Sequence, residues 1–175
     1  MRFERINDKN HIMYEKAIQL YNSSFPFHEQ RENLSRQKIL KDNAYNFDLI
    51  YDKDLFVGIV LFWETQDFIY IEHFCVCSEH RNKDYGKKIL NLLCQRGKTI
   101  ILEIDPPCDE ISIRRKKFYE RSGFVENYYK HVHPAYHKAY KGHNLVIMSY
   151  PTKINEKQYD CFNEYLSNHI MLDVF

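Results

Sequence analysis

Between Asp67 and Leu93 the chain passes from an apolar run through a polar turn into a helix-period pattern, and the other elements are arranged around this stretch. The β-branched and aromatic residues Phe68, Ile69, Ile71, Phe74 and Val76 predict a strand, which Ser78 to Asp84 closes. Tyr85, Ile89, Leu92 and Leu93 then recur at helical spacing. Gly97 stands where a left-handed cap would end that helix.

Taken in order, Arg2 to Ile6 alternates as a short first strand. His11 to Tyr21, with Ile12, Ala17, Ile18 and Tyr21 at near-helical spacing, predicts a helix that Asn22-Ser23-Ser24 breaks. A second, highly charged helix is expected over about His28 to Lys41, with Leu34, Ile39 and Leu40 as its apolar contacts. Tyr45 to Tyr51, Leu55 to Glu64 and Phe68 to Cys77 are three strand-like runs joined by short polar connections, as antiparallel hairpins require. Thr99 to Ile104 is almost continuously apolar, the pattern of a strand buried on both faces beside a parallel neighbour. Pro106-Pro107 ends it. Asp109 is the expected N-cap of a helix to about Ser122, closed by Gly123. Phe124 to Tyr129 and Asn144 to Tyr150 read as the last strands, with His131 to His143 between them long enough for a lid or binding loop. From Asn155 to Ile170, Tyr159, Phe162, Leu166 and Ile170 mark an amphipathic helix that packs on the domain or on a second subunit.

Size and charge narrow the function. With 175 residues and 44% hydrophobic content, one sizeable core is expected, organised as a domain over residues 1–150 and a helical appendage over 151–175. Lys+Arg 25 against Asp+Glu 24 leaves a net charge of +1, which argues against a nucleic-acid partner bound by broad phosphate neutralisation. Five cysteines without CxxC spacing, two of them alternating in a strand as Cys75 and Cys77, suit a reducing compartment. The N-terminus MRFERINDKN carries no apolar signal core, and no run approaches bilayer length, so a cytoplasmic protein without a membrane partner is expected.

Strand, glycine-bearing polar turn and helix make an anion site. First-turn amides lack an internal acceptor and point, with the positive end of the helix dipole, at whatever anion lies there. Arg81, Lys83, Lys87 and Lys88 surround them with cations. Arg81-Asn82-Lys83-Asp84-Tyr85-Gly86 resembles the pyrophosphate-binding motif Arg/Gln-x-x-Gly-x-Gly/Ala of the GNAT superfamily of acyl-CoA-dependent N-acetyltransferases. Phe118-Tyr119-Glu120-Arg121-Ser122-Gly123-Phe124 is similar to that family's Tyr-x-x-x-Gly-Phe signature. The resemblance spans residues 1–150 in element order. It implies an α/β (α+β) fold with a mixed, mostly antiparallel central sheet flanked by helices, here with an extra C-terminal helix.

The resemblance also implies chemistry. Acetyl-CoA would be the acetyl donor, held by Phe74, Cys75 and Val76 at the end of the fourth strand and by Arg81, Asn82, Lys83, Asp84, Tyr85, Gly86 and Lys87 in the turn. Ser112 stands where many members have an asparagine that meets the pantetheine arm. Tyr119 holds the general-acid position, and a phenol of pKa about 10 is matched to a thiol leaving group. Glu72, which simple alternation places on one strand face with Tyr70 and Phe74, is the candidate base, its carboxyl raised by apolar surroundings; a structural ion pair is the rival account. Phe25, Phe27, Glu29 and Arg31 fall in the segment that flanks the acceptor cleft in the family, and Tyr70 and Tyr136 are further candidate substrate contacts. Asp84 departs from the family at its first glycine position, where its carboxylate would compete for the amides that bind pyrophosphate. His131, His133, His137 and His143 lie apart from the cysteines and share their loop with no carboxylate, so no metal is assigned. The function implied is direct transfer to the primary amine of a small molecule, in a protein that the C-terminal helix could pair into a homodimer. The alternative is a catalytically degenerate acyl-CoA-binding or protein-interaction module of the same fold.

Overall fold

Polar two- and three-residue turns return the first strands on themselves, and the computed structural model, which describes residues 1–175, shows the resulting sheet. The strands are β1 (Arg2–Ile6), β2 (Tyr45–Asp52), β3 (Leu55–Glu64), β4 (Phe68–Val76), β5 (Thr99–Ile104), β6 (Val125–His133) and β7 (His143–Tyr150). The helices are α1 (Tyr14–Ser24), α2 (Asn33–Ile39), α3 (Tyr85–Cys94), α4 (Glu110–Arg121) and α5 (Glu156–Tyr165). The strand order is β1-β2-β3-β4-β5-β7-β6. The pairs β1·β2, β2·β3, β3·β4 and β6·β7 are antiparallel, so the mixed α+β class with a mostly antiparallel sheet is the fold the chain adopts. No helix is long and apolar enough to cross a membrane.

The chain divides into two compact units, residues 1–27 with 37–100, and residues 28–36 with 101–175. In the first, Phe47 and Leu49 of β2, Ile59, Leu61 and Trp63 of β3, and Ala17 and Tyr21 of α1 are removed from solvent. Each large apolar side chain so buried contributes about 1.5–3 kcal/mol. The first helix begins at Tyr14, not at His11, because Tyr14 N–H bonds His11 carbonyl in a preceding turn; Ile12, expected on the apolar face, is 94% exposed. In α3 the buried residues are Ile89, Leu90 and Leu93, whereas Leu92 is only half-buried.

β4 departs from simple alternation. Trp63 pairs with Tyr70 and Phe62 with Ile71, but Leu61 pairs with His73 and Val60 with Phe74. Glu72 is therefore the extra residue of a β-bulge. Since directly paired residues share a sheet face, Tyr70 and His73 lie on the face of Trp63 and Leu61, and Ile71 and Phe74 on the other. The expected common face of Tyr70, Glu72 and Phe74 is thus corrected: one inserted residue moves Phe74 away from Tyr70. Gly58 permits the close approach beyond the bulge, since a Cβ there would clash with Cys75 carbonyl oxygen.

The expected helix from His28 to Lys41 is replaced by a 3-10 turn at Phe27–Glu29 and the short α2. Leu34 is 81% exposed; Arg31, Ser35 and Arg36 are buried, as is the expected apolar contact Leu40 just beyond α2. The buried side of this segment is polar because it grips the C-terminal backbone: Arg31 Nη2 donates to Ile170 carbonyl at 2.9 Å and Ser35 Oγ to Asp173 carbonyl at 2.6 Å. α4 starts as the sequence predicts, with Asp109 and Ser112 in a capping box. β6 continues to His133, past the expected end at Tyr129, because three residues, Tyr128 to Lys130, stand opposite the single Val146. His131 and His133 are consequently buried strand residues, and the connection is confined to 134–142. α5 is capped by Asn155 with Gln158 and passes into a π-helical turn at Leu166–Ile170. Tyr159 stacks on Tyr129 at 4.0 Å, and Phe162, Leu166 and Ile170 are buried.

Asp48 of β2 is an unusual core residue. It is buried and its Oδ1 has no hydrogen-bond partner. Desolvation pushes its carboxyl pKa from 3.8 up to about 6 against the opposing pull of Arg96 and Arg5. A carboxyl raised in the folded state stabilises below the unfolded value and loses that contribution as pH climbs through the folded one, a difference of about 3 kcal/mol. Urea unfolding of the wild type is expected to show stability falling between pH 4 and pH 6, and Asp48→Asn to flatten that slope. Equal slopes in the two proteins would refute the assignment.

Candidate functional site

The anion-ready turn lies wholly in the first unit. After β4, a 3-10 turn at Ser78–His80 leads into Arg81, and the next residues adopt left-handed backbone at Asn82 (φ 61) and Asp84 (φ 58). Asparagine and aspartate are the non-glycine types that tolerate this region best, so the local sequence matches its conformation. Asp84 is the N-cap of α3, but its side chain makes no capping hydrogen bond. The competition for first-turn amides expected of its carboxylate is therefore not found. The first helical bond runs from Lys88 N–H to Asp84 carbonyl, leaving the amides of Tyr85, Gly86 and Lys87 outside the helix's own ladder. Arg81, Asn82, Lys83, Asp84, Lys87 and Lys88 are exposed, with Tyr85 and Gly86 half-buried. Arg81 Nε donates to Val76 carbonyl at 3.2 Å, tying the turn to the end of β4, and Tyr85 hydroxyl bonds Asp52 Oδ2 at 3.0 Å.

On β4, Glu72 is half-buried and Trp63 Nε1–H donates to its Oε2 at 2.8 Å, fixing the carboxylate's direction. Tyr70 and His73 are buried on that face, and His73 packs edge-on against Tyr21 and Phe25. Phe74 and Val76 are half-buried, while Cys75 is buried with its thiol pushed up to about 11 by desolvation. Such a thiol is protonated at neutral pH and is no nucleophile. Phe27 is 63% exposed.

The second unit holds the remaining candidates. Tyr119 is half-buried as a residue, yet its phenol is so enclosed that desolvation pushes its pKa up to about 12, with Arg115 pulling the other way. The phenol is thus a weaker acid than a thiol, and the expected near-match of the two is corrected. Its ring packs against Phe118 and Phe124. Ser112 is buried and engaged with Asp109 in both directions of the capping box. Arg115 and Lys116 pair with Asp105 and Glu126, each at 2.5 Å. Arg31 and Tyr136 come together, the guanidinium 5.8 Å from the ring centre, both almost fully buried.

One group escaped the sequence reading. Glu103 of β5 bonds His131 Nε2, and His131 Nδ1 lies 3.0 Å from Tyr159 hydroxyl. The signal was present: Glu103 is the one charged residue in TIILEI, an apolar strand where an acid has to find a buried partner. The sequence pattern places the histidines in a connection and does not show that β6 brings His131 to this carboxylate.

Comparison with known proteins places these features in a family. The model of the acetyltransferase (GNAT) family matches residues 12–124. YjbC of Bacillus subtilis (strain 168), classed as an acetyltransferase, is 26% identical over 102 residues, which are 57% of this chain. The match spans about half, 52%, of that relative's length. A solved structure from Bacteroides thetaiotaomicron, classed in the GNAT family, superposes with a TM-score of 0.91 at 28% identity over 98% of each chain. An aminoglycoside 6'-N-acetyltransferase solved with coenzyme A shares the fold, with a TM-score of 0.59 at 16% identity, covering 89% of this chain and all of that one. With its turn, its Tyr119 segment and the greater part of its length accounted for by one family model, the chain belongs to the GNAT acetyltransferase family.

Proposed function

We propose that this chain is an N-acetyltransferase that moves an acetyl group from acetyl-CoA to the primary amine of a small molecule by direct transfer in a ternary complex. The observation that carries the reading is the turn from Arg81 to Lys87, with left-handed residues at 82 and 84, an uncapped α3 and exposed cations. Its amides and ammonium groups suit a pyrophosphate. The coenzyme A bound by the aminoglycoside-acetylating relative supports the same choice of cofactor.

Acetyl-CoA supplies the thioester that makes the acetyl carbon electrophilic. Main-chain amides of Phe74 to Val76 at the end of β4 bind the arm and the carbonyl oxygen, as the family resemblance implies. Glu72, steered by Trp63, accepts the proton of the attacking amine. Tyr119, protonated throughout the physiological range, hydrogen-bonds the departing sulfur and stabilises charge there more readily than it surrenders its proton. Cys75, held as a thiol, favours direct transfer over an acyl-enzyme on that residue. Phe27, Arg31, Tyr70 and Tyr136 are kept as acceptor-side residues; Arg31 also serves the C-terminal backbone.

A second reading, a non-catalytic acyl-CoA-binding module, draws on one observation: a phenol at about 12 is a poor acid. Product formation with any primary amine decides for the enzyme, and binding without turnover for the module.

Calorimetric titration with acetyl-CoA, against ATP as control, is expected to give selective binding, and its absence would overturn the reading. Asp84→Gly relieves left-handed strain and removes a carboxylate beside the phosphates, so it should tighten acetyl-CoA by about fivefold, roughly 1 kcal/mol. A weaker complex would reject that role for Asp84. Glu72→Gln and Tyr119→Phe should each lower kcat by about a hundredfold with acetyl-CoA affinity nearly unchanged. Wild-type turnover in either variant removes that residue from the mechanism.

A further inference from the structure

The first turn of α3 carries the amides that suit a pyrophosphate, yet little within that turn holds it in place. Gly86 has no side chain, Lys87 and Lys88 are exposed, and the first buried residue of the helix is Ile89. Upstream, Asn82 and Asp84 adopt left-handed backbone, and Asp84 makes no side-chain capping bond. A helix start without a cap, entered from left-handed residues, frays unless another element restrains it. Tyr85 supplies that restraint. Its hydroxyl donates to Asp52 Oδ2 at 3.0 Å, its ring centre lies 6.0 Å from that of His80 in an edge-on contact, and the Lys88 ammonium stands 5.4 Å from the ring centre.

Asp52 is itself well fixed. It is the last residue of β2 and pairs with Leu55 across the Lys53-Asp54 turn. The same hairpin is bonded to the chain just ahead of the 3-10 turn, where Cys77 N–H donates to Val57 carbonyl at 2.9 Å. Residues 78–84 therefore leave the hairpin at Cys77 and return to it at Tyr85. We propose that Asp52 is a positioning residue of the anion-binding turn: by holding the Tyr85 hydroxyl it keeps the amides of Tyr85, Gly86 and Lys87 converged on a bound pyrophosphate. Asp52 acts through Tyr85 and not on the ligand, a role that rests on the reading of this turn as the cofactor site.

A carboxylate near a phosphate site gives this role a sign. Acting directly, the Asp52 charge repels a pyrophosphate, and its removal tightens binding. Acting by position, it does the reverse. Without an acceptor the Tyr85 hydroxyl is released, the first turn samples conformers whose amides diverge, and apparent affinity falls with the fraction still ready to bind. The bond to Asp52, with desolvation and the carboxylate's charge behind it, holds the Tyr85 phenol above its ordinary pKa, so the donor is kept through the neutral range. The same ring seats the Lys88 ammonium at the positive end of the helix dipole. A cation there is unfavourable until an anion joins it.

The full chain and its variants are titrated with acetyl-CoA by calorimetry, and with inorganic pyrophosphate by NMR of the Tyr85, Gly86 and Lys87 amides. Asp52→Ala and Tyr85→Phe should each weaken both ligands about fivefold, and the double variant should lose no more than the weaker single one. Asp52→Asn, whose amide oxygen still accepts from the phenol, should bind at least as tightly as the wild type. In turnover, Asp52→Ala should raise the acetyl-CoA KM about fivefold with kcat within about twofold of wild type, a split that general loss of structure does not give. Thermal unfolding checks that each variant is folded. Tighter binding by Asp52→Ala, additive losses in the double variant, or an Asp52→Asn defect equal to that of Asp52→Ala would overturn the role, as would wild-type amides that do not respond to pyrophosphate. The expected pyrophosphate results without acetyl-CoA binding would instead reject the choice of cofactor alone.

Discussion

The pairing of β3 with β4 in two registers, offset by one residue at Glu72, governs how the first unit presents its chemistry. Before the bulge Tyr70 follows Trp63; after it His73 follows Leu61, and both reach the face where α1 contributes Tyr21. The insertion also turns Phe74 to the opposite face, so the end of the strand enters the basic turn half a period out of phase with its beginning. Gly58 makes the second register tolerable by leaving room for Cys75 carbonyl oxygen. Trp63 then uses its indole N–H to hold the inserted carboxylate, converting an irregular backbone into an oriented side chain. The bulge and the hydrogen bond depend on each other.

Local chemistry was legible, and long-range offsets were not. β3 begins and ends at the residues its strand-like run marks, Leu55 and Glu64, and α4 begins behind Asp109 and stops before Gly123, whose φ of 89 needs glycine. Those signals are contained within a few residues. A bulge inserts one residue into a strand without altering its composition, so the faces of Tyr70 and Phe74 could not be read from spacing. The same holds for β6, where the unequal stretch at Tyr128 to Lys130 carries His131 and His133 into the sheet. In α2 the ordinary rule failed for a different reason. Leu34 faces outward because Arg31 and Ser35 are needed inward as donors. Of the site, the turn and the Tyr119 segment were readable because they are contiguous; the Glu103 group was not, because its members come from β5, β6 and α5.

Buried charge is handled in two contrasting ways. Asp48 sits in the first unit with an unmet oxygen, and desolvation raises its carboxyl to about 6. Glu103 is instead bonded by the imidazole of His131, whose other ring nitrogen meets the Tyr159 hydroxyl. Hydrogen-bond donors offset the cost of burying a carboxylate, whereas burial with an oxygen left unmet raises the carboxyl pKa.

The grip on the C-terminal segment has an evolutionary corollary. Arg31 and Ser35 reach Ile170 and Asp173 through main-chain carbonyls, groups that every residue type possesses. Selection acting on this contact constrains the two donors and the path of the backbone, while leaving the side chains at 170 and 173 answerable only to packing. Drift among relatives is thus expected to concentrate on the gripped segment, with the gripping residues changing slowly, an asymmetry opposite to that of a contact between two side chains.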